Sequence, residues 1–432
     1  MALLSLLAVS CSQYHIFYAI ANETAPRKPR IEGAPTNMVV FERKYPDRND
    51  LVVPIMYVAS GQIHWYAKAQ DADKPQWDLT EYDIPQPTTE GKIIALAVAG
   101  DRLYALCHDD RNSVNATLRF IEADGYTWKT ISSEAADYPV IQSIYVDPST
   151  EQLFAGAGSK NDQDQVLATY AILYLDNKTN TLKLLKGDTS IFSGVAYRDN
   201  IYYLSTRGYK PRDSEGIGGI FQVSENGNVL DPASVIPLDD NTDAENNNNY
   251  RMFMSMIRLE DEDNTIIAVE RDGGGLYKVQ SGSFERMRYT NNEWIAIGKY
   301  ATEAIALWEN SEENSAGSIE PLVKTLVVGI QEVLNPTANS SHTYGYVEFD
   351  LNPQNGSFNT GTNRRDPSKQ LPSVNNQEQY TGSLGKRPIN HLFQAPRKID
   401  EDMTFFASTQ TAGLWSYRDR SGNGGWEWNA EE

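Results

Sequence analysis

Thiols, imidazoles and long apolar runs are all scarce in this 432-residue chain. Its two cysteines, Cys11 and Cys107, allow one disulfide at most, which excludes a disulfide-framed scaffold. Cys107 ends the apolar run LYALC (103–107) and reads as a packed thiol. The five histidines, His15, His64, His108, His342 and His391, show no H-x-x-x-H spacing and no cysteine partner. Local sequence therefore offers no histidine-based metal centre. Beyond the opening residues no apolar stretch reaches the about 20 residues of a spanning helix. The longest, IIALAVA (93–99), stops at Gly100-Asp101 after a strand's length. Cations are outnumbered as well, with 38 Lys and Arg against 58 Asp and Glu, a net charge of −20. A phosphate-binding surface needs clustered cations, and the only such run is RKPR at 27–30. Nucleic acid is thus not an expected partner, and the acidity reads as solubility.

Local catalytic signatures are missing too. There is no G-x-S-x-G elbow, and RDGGG (271–275) lacks the Lys-Ser/Thr and the helix that complete a phosphate loop. DDNTD (239–243) begins like a calcium loop, but Ala244 stands where the turn needs glycine and Tyr250 where a bidentate glutamate belongs. EDED (260–263) reads as a solvated hairpin turn rather than paired catalytic acids. No cofactor is expected.

What the chain does have is a recurring strand pattern. IALAVAGDRLYALC (94–107), IQSIYVDPSTEQLFAG (141–156), FSGVAYRDNIYYLST (192–206), MSMIRLEDEDNTIIAV (254–269) and HLFQAPRKIDEDMTFFAS (391–408) each read as apolar strand, Asp/Asn/Pro-rich turn, apolar strand. A third strand follows: GQIHWY (61–66), TLRFI (117–121), YAILYL (170–175), GIFQV (219–223), GLYKV (275–279), GYVEF (345–349) and GLWSY (413–417). Most alternate apolar with polar, and the leading glycines suit an entry where a side chain would crowd the next strand. A more polar fourth strand closes several units, as in YTWKTI (126–131), TLKLLK (181–186) and GWEWN (425–429). Four-stranded antiparallel units recurring roughly every 50–70 residues are the mark of a propeller. The expectation is an all-β protein, a β-propeller of about seven four-stranded antiparallel blades, with six or eight as alternatives. The arrangement resembles the β-propeller superfold, without a recurring WD dipeptide or kelch glycine pair that would name a family. The last unit carries its own outer strand and 38–41 can start the first, so the ring is expected to close blade against blade.

The longer connections fall between second and third strands and between units, which places them on one face of such a ring. That face is where function is expected. It gathers Arg207, Arg212, Arg364 and Arg365, with Tyr209 and Tyr380 among them. Arginine forks grip carboxylates or phosphates, and tyrosines stack on sugars. These six residues are the expected ligand surface, for an acidic glycan, peptide or protein partner.

The opening stretch MALLSLLAVS (1–10) carries no charge and leads to Cys11. An apolar core ending in small residues is signal-like, but no Lys or Arg precedes it, so a start further upstream is expected. LAVSC (7–11) resembles the lipobox of bacterial lipoproteins, in the relaxed spirochaetal form with Ala8 where many families have leucine. The resemblance implies cleavage before Cys11 and a lipid on its sulfur. The Pro-containing segment 22–37 reads as a tether. The expected organisation is a signal peptide at 1–10, a lipidated tether at 11–37 and a propeller at 38–432. That implies a lipid anchor in the bacterial cell envelope, at the outer membrane or cell surface rather than the inner membrane. The expected role is binding or scaffolding. The alternative is a propeller enzyme acting on extracellular or envelope carbohydrate, its acids drawn from separate blades.

Overall fold

The run LYALC is apolar at every position because both faces of its strand are covered. Leu103, Ala105 and Cys107 pack toward one neighbouring sheet, and Tyr104 and Leu106 toward the other. Burial pushes the Cys107 thiol up to about 12, consistent with a packed, unreactive side chain.

The computed structural model describes residues 30–48, 51–60, 64–69, 77, 84–110, 113–160, 166–207, 219–225, 230–240, 251–259, 264–271, 275–288, 294–295, 297, 301–310, 323–330, 345–351, 388–396, 403–419 and 426–431. Among them there is no α-helix, and strands dominate. Sheet 1 holds β1 (Val39–Tyr45), β2 (Leu51–Ser60) and β3 (His64–Ala69). Sheet 2 holds β4 (Ile93–Ala99), β5 (Arg102–His108), β6 (Ala116–Glu122) and β7 (Lys129–Thr130). Sheet 3 takes in the short β8 (Ser132–Ser133), then β9 (Val140–Val146), β10 (Leu153–Lys160), β11 (Val166–Asp176) and β12 (Thr181–Thr189). Sheet 4 is β13 (Ile191–Arg198), β14 (Ile201–Arg207), β15 (Gly219–Ser224) and β16 (Ile236–Pro237). Sheet 5 is β17 (Asp239–Asp240), β18 (Phe253–Arg258), β19 (Ile266–Glu270), β20 (Leu276–Gln280) and β21 (Ser283–Arg286). Sheet 6 is β22 (Ala301–Asn310), β23 (Val323–Ile330) and β24 (Tyr346–Leu351). Sheet 7 is β25 (Ile389–Pro396), β26 (Met403–Thr409), β27 (Leu414–Asp419) and β28 (Trp426–Ala430).

Within each sheet successive strands pair antiparallel, the hairpin order the turn residues predict. Two additions were not anticipated. β8 and β17, from the connections entering sheets 3 and 5, pair in parallel along the outer strands β12 and β21. They cover edges that would otherwise expose unpaired backbone. β17 also shows how the calcium-like start at Asp239-Asp240 is used: it is strand backbone.

Seven core clusters join neighbouring sheets in turn, from sheets 1 and 2 around to sheets 7 and 1. The sheets therefore form a propeller-like ring, with β1, β4, β9, β13, β18, β22 and β25 innermost. The expected blade count needs correction. Five sheets reach the four-strand width of a blade, not seven; sheets 1 and 6 have three strands among the described residues. The stretches that follow β3 and β24, where a fourth strand would be drawn, fall largely outside those residues.

Small polar side chains tie the inner strands to one another. Ser143 Oγ donates to Phe192 O (3.1 Å), Ser193 Oγ to Phe253 O (2.7 Å) and Thr302 Oγ1 to Ile389 O (2.5 Å). The Asn37 amide donates to Leu96 O and accepts from Leu96 N. The first three bonds each cross from one sheet to the next, and Asn37, just before β1, ties the entry of sheet 1 to β4.

Gly329 on β23 marks a close approach. A Cβ there would stand 2.6 Å from Ala304 Cβ and 2.8 Å from Ile389 O, and would also strike the Thr302 hydroxyl. Gly329→Ala is expected to destabilise by about 1–3 kcal/mol, since backbone cannot yield as a side chain can; a urea midpoint equal to wild type would contradict this. The glycine opening β15 has a different reason from the one expected. Gly219 has open space around it, but its φ of +124° is one that side-chain-bearing residues avoid.

The two ends of the described chain meet at the joint between sheets 7 and 1. Residues 30–37, assigned above to the tether, lie against sheet 7. Ile31 is buried there, Arg30 N donates to Glu431 O, and Gly413 N donates to Gly33 O. Among the described residues no named strand is shared between the two sheets; a single parallel bridge, Gly33 to Ala412, joins the N-terminal segment to sheet 7.

Candidate functional site

A channel of about 930 Å3 runs between the inner strands. Much of its wall is aliphatic, from residues such as Ile94, Val98, Ile144, Met254 and Met256. Among the described residues its charged lining is two arginines, Arg207 and Arg271, and one carboxylate, Glu303. Two guanidinium groups thus stand together in a protein of net charge −20.

Strand direction places these groups at one end. Arg207 is the last residue of β14, and Arg271 follows the last residue of β19. Glu303 and His391 are each the third residue of an inner strand, β22 and β25. All four sit where the chain turns between second and third strands or between sheets, the end expected to carry function. Met252 holds the two arginines side by side: its backbone bridges to Arg207, and its carbonyl accepts from Arg271 N (2.8 Å).

Arg207 forms an ion pair with Glu303, and Tyr145 Oη donates to the other Glu303 oxygen at 3.3 Å. Tyr145 belongs to sheet 3 and Glu303 to sheet 6, so this hydrogen bond spans the channel. Arg207 Nε is buried without a hydrogen-bond partner. His391 is held neutral at ordinary pH. Its pKa falls to about 4, first because burial penalises the imidazolium and then because Arg207 repels it. The cluster therefore offers a permanent cation with a free donor, a neutral imidazole and a carboxylate already engaged.

Of the expected ligand residues, the structure places Arg207 at this mouth. Tyr209, Arg212, Arg364, Arg365 and Tyr380 lie outside the described residues, as does Cys11. Tyr145, Arg271, Glu303 and His391 were not anticipated as site residues. Their one shared signal is a polar or charged residue in or beside an otherwise apolar strand of the repeat, as in IQSIY, AVER, ATEAIAL and INHLF. Among the described residues no group of three or more His, Cys, Asp or Glu side chains is placed to hold a metal ion.

No protein-family model matches the chain, and no curated protein matches it. Solved structures align over most of its length at low identity. A chain from an S. cerevisiae complex of dbp5 with nup159, gle1, ip6 and adp is 9% identical, with a TM-score of 0.42, over 90% of this chain and 96% of that one. An ancestral GH74 enzyme is 13% identical, with a TM-score of 0.49, over 94% of this chain and 48% of its own. Likenesses this distant assign neither activity nor ligand. The propeller-like ring stands on this chain's own strand pairing and on its seven inter-sheet cores.

Proposed function

We propose that this chain is a lipid-anchored protein of the bacterial envelope whose propeller-like ring binds or scaffolds an acidic partner through its loop-bearing end. The observation that supports binding is the placement of Arg207 and Arg271 side by side at that end, two guanidinium groups on a strongly acidic body. Arginine arrays favour carboxylate- or phosphate-bearing partners, and opposite charge speeds their encounter. Arg212, Arg364 and Arg365, with Tyr209 and Tyr380, extend the same charge along the sequence. The carbohydrate-enzyme reading draws less support. Two-carboxylate glycoside chemistry would need a second acid from outside the described residues, because the lining carboxylate, Glu303, is committed to Arg207.

The anchor rests on LAVSC at 7–11 and places Cys11 at the membrane. Expression with the natural upstream region in a lipoprotein-processing bacterium, with labelled palmitate, should label the wild type and not Cys11→Ala. Label on neither would remove the envelope from the reading. The binding half is tested separately, by capturing envelope components on the wild type and on Arg364→Glu/Arg365→Glu. An acidic partner retained equally by both would remove those arginines from the surface.

A further inference from the structure

We propose that the channel itself is a binding site for a small organic carboxylate with an apolar body. Three features of the ring converge on that chemistry. The first is size and wall: about 930 Å3 with long aliphatic stretches suits a compact ligand that is mostly hydrocarbon. The second is charge: among the described residues the lining carries Arg207 and Arg271 and one carboxylate, Glu303, so the guanidinium groups at the mouth suit an anionic head group. The third is an unused donor. Arg207 pairs with Glu303 through Nη2, while Nε is buried without a hydrogen-bond partner. A desolvated guanidinium N–H without an acceptor is costly, and a ligand oxygen would satisfy it.

The geometry also separates head from body. Arg207 and Arg271 flank Met252 at one end of the channel, with the His391 imidazole nearby. The aliphatic residues Ile94, Val98, Ile144 and Met256 line the wall. A carboxylate at the arginines would lay its hydrocarbon along that wall. His391 stays neutral and can donate a hydrogen bond without adding charge. The Tyr145–Glu303 bond crosses the channel and limits how far a ligand can extend. This site lies inside the ring and does not depend on a macromolecular partner or on lipidation.

The test uses the full chain and titration calorimetry with octanoate and 3-phenylpropanoate, each against its alcohol, 1-octanol and 3-phenylpropan-1-ol. The expected result is saturable binding of at least one acid, with its alcohol weaker by about tenfold or more, the worth of a charge-assisted hydrogen bond. Arg207→Lys keeps a charge beside Glu303 but loses Nε, and Arg271→Gln loses the second cation; each should weaken the acid by about tenfold. Ala95→Trp, on the wall, should abolish binding by filling the channel. A melting temperature near wild type shows which variants remain folded, and the conservative Arg207→Lys guards against misfolding as the cause. The proposal is overturned if neither acid binds, if the alcohols bind as tightly as the acids, or if folded variants keep wild-type affinity. Failure here would leave the palmitate and partner-capture results untouched.

Discussion

Glu431→Ala is expected to destabilise the ring by about 3–5 kcal/mol, the cost of removing one member of a buried ion pair. Glu431 and Lys68 are both fully buried and form an ion pair at 3.1 Å. The same carboxylate accepts from Trp77 Nε1 (2.9 Å) and from Ser416 Oγ (2.5 Å). Removing it would leave one ammonium and two neutral donors without that acceptor inside the joint between sheets 7 and 1. Among the described residues no named strand crosses this joint, and side chains and a few backbone bonds carry it. Glu431→Gln should recover little, because it retains an acceptor but not the charge. Lys68→Met combined with Glu431→Leu should recover most of the loss, since an apolar pair of similar volume removes the charge that needed a partner. Urea unfolding with unchanged slope would read these as stability differences. A Glu431→Ala midpoint equal to wild type would show that the joint does not depend on the pair.

Phe192→Ala should cost a similar amount, about 3–5 kcal/mol, by opening a cavity between sheets 3 and 4. Phe192 is fully buried. Its ring stands edge-on to Tyr145, with centroids 5.2 Å apart at 87°, and lies 6.4 Å from the Phe154 ring. This substitution reaches the candidate site because Tyr145 is the residue that hydrogen-bonds across the channel to Glu303. Loss of the supporting ring should loosen that contact as well as the core. Phe192→Leu keeps most of the volume and should cost less than about 1.5 kcal/mol. Equal midpoints for the two variants would show that ring packing is not what stabilises this interface.

Local physics is legible in the sequence. The third strands from TLRFI to GLWSY correspond to β6, β11, β15, β20, β24 and β27, and residues 64–66 of GQIHWY fall in β3, its first three lying outside the described residues. Turn residues and adjacent pairing are short-range signals carried by a few neighbouring residues. Arg43 shows the limit of such signals. In VVFERKY it falls in register with Val39, Phe41 and Tyr45, so alternation alone predicts an inward side chain. It is indeed fully buried, donating to the carbonyls of Glu122 and Ala123 in the next sheet. Nothing local reveals those acceptors.

The candidate site divides in the same way. Arg207 could be singled out because it begins a long connection. Its partners could not, since Tyr145, Arg207, Glu303 and His391 come from four different sheets.

The all-β class and the order of the strands were legible in the residues alone, because hairpin pairing and period-two burial are encoded within a few residues. The three-dimensional packing settled the partners: the Lys68–Glu431 ion pair at the joint of sheets 7 and 1, and the meeting of Arg207, Glu303 and Tyr145 in the channel. Those depend on which side chains meet once the sheets close on one another, and no local pattern carries that distance.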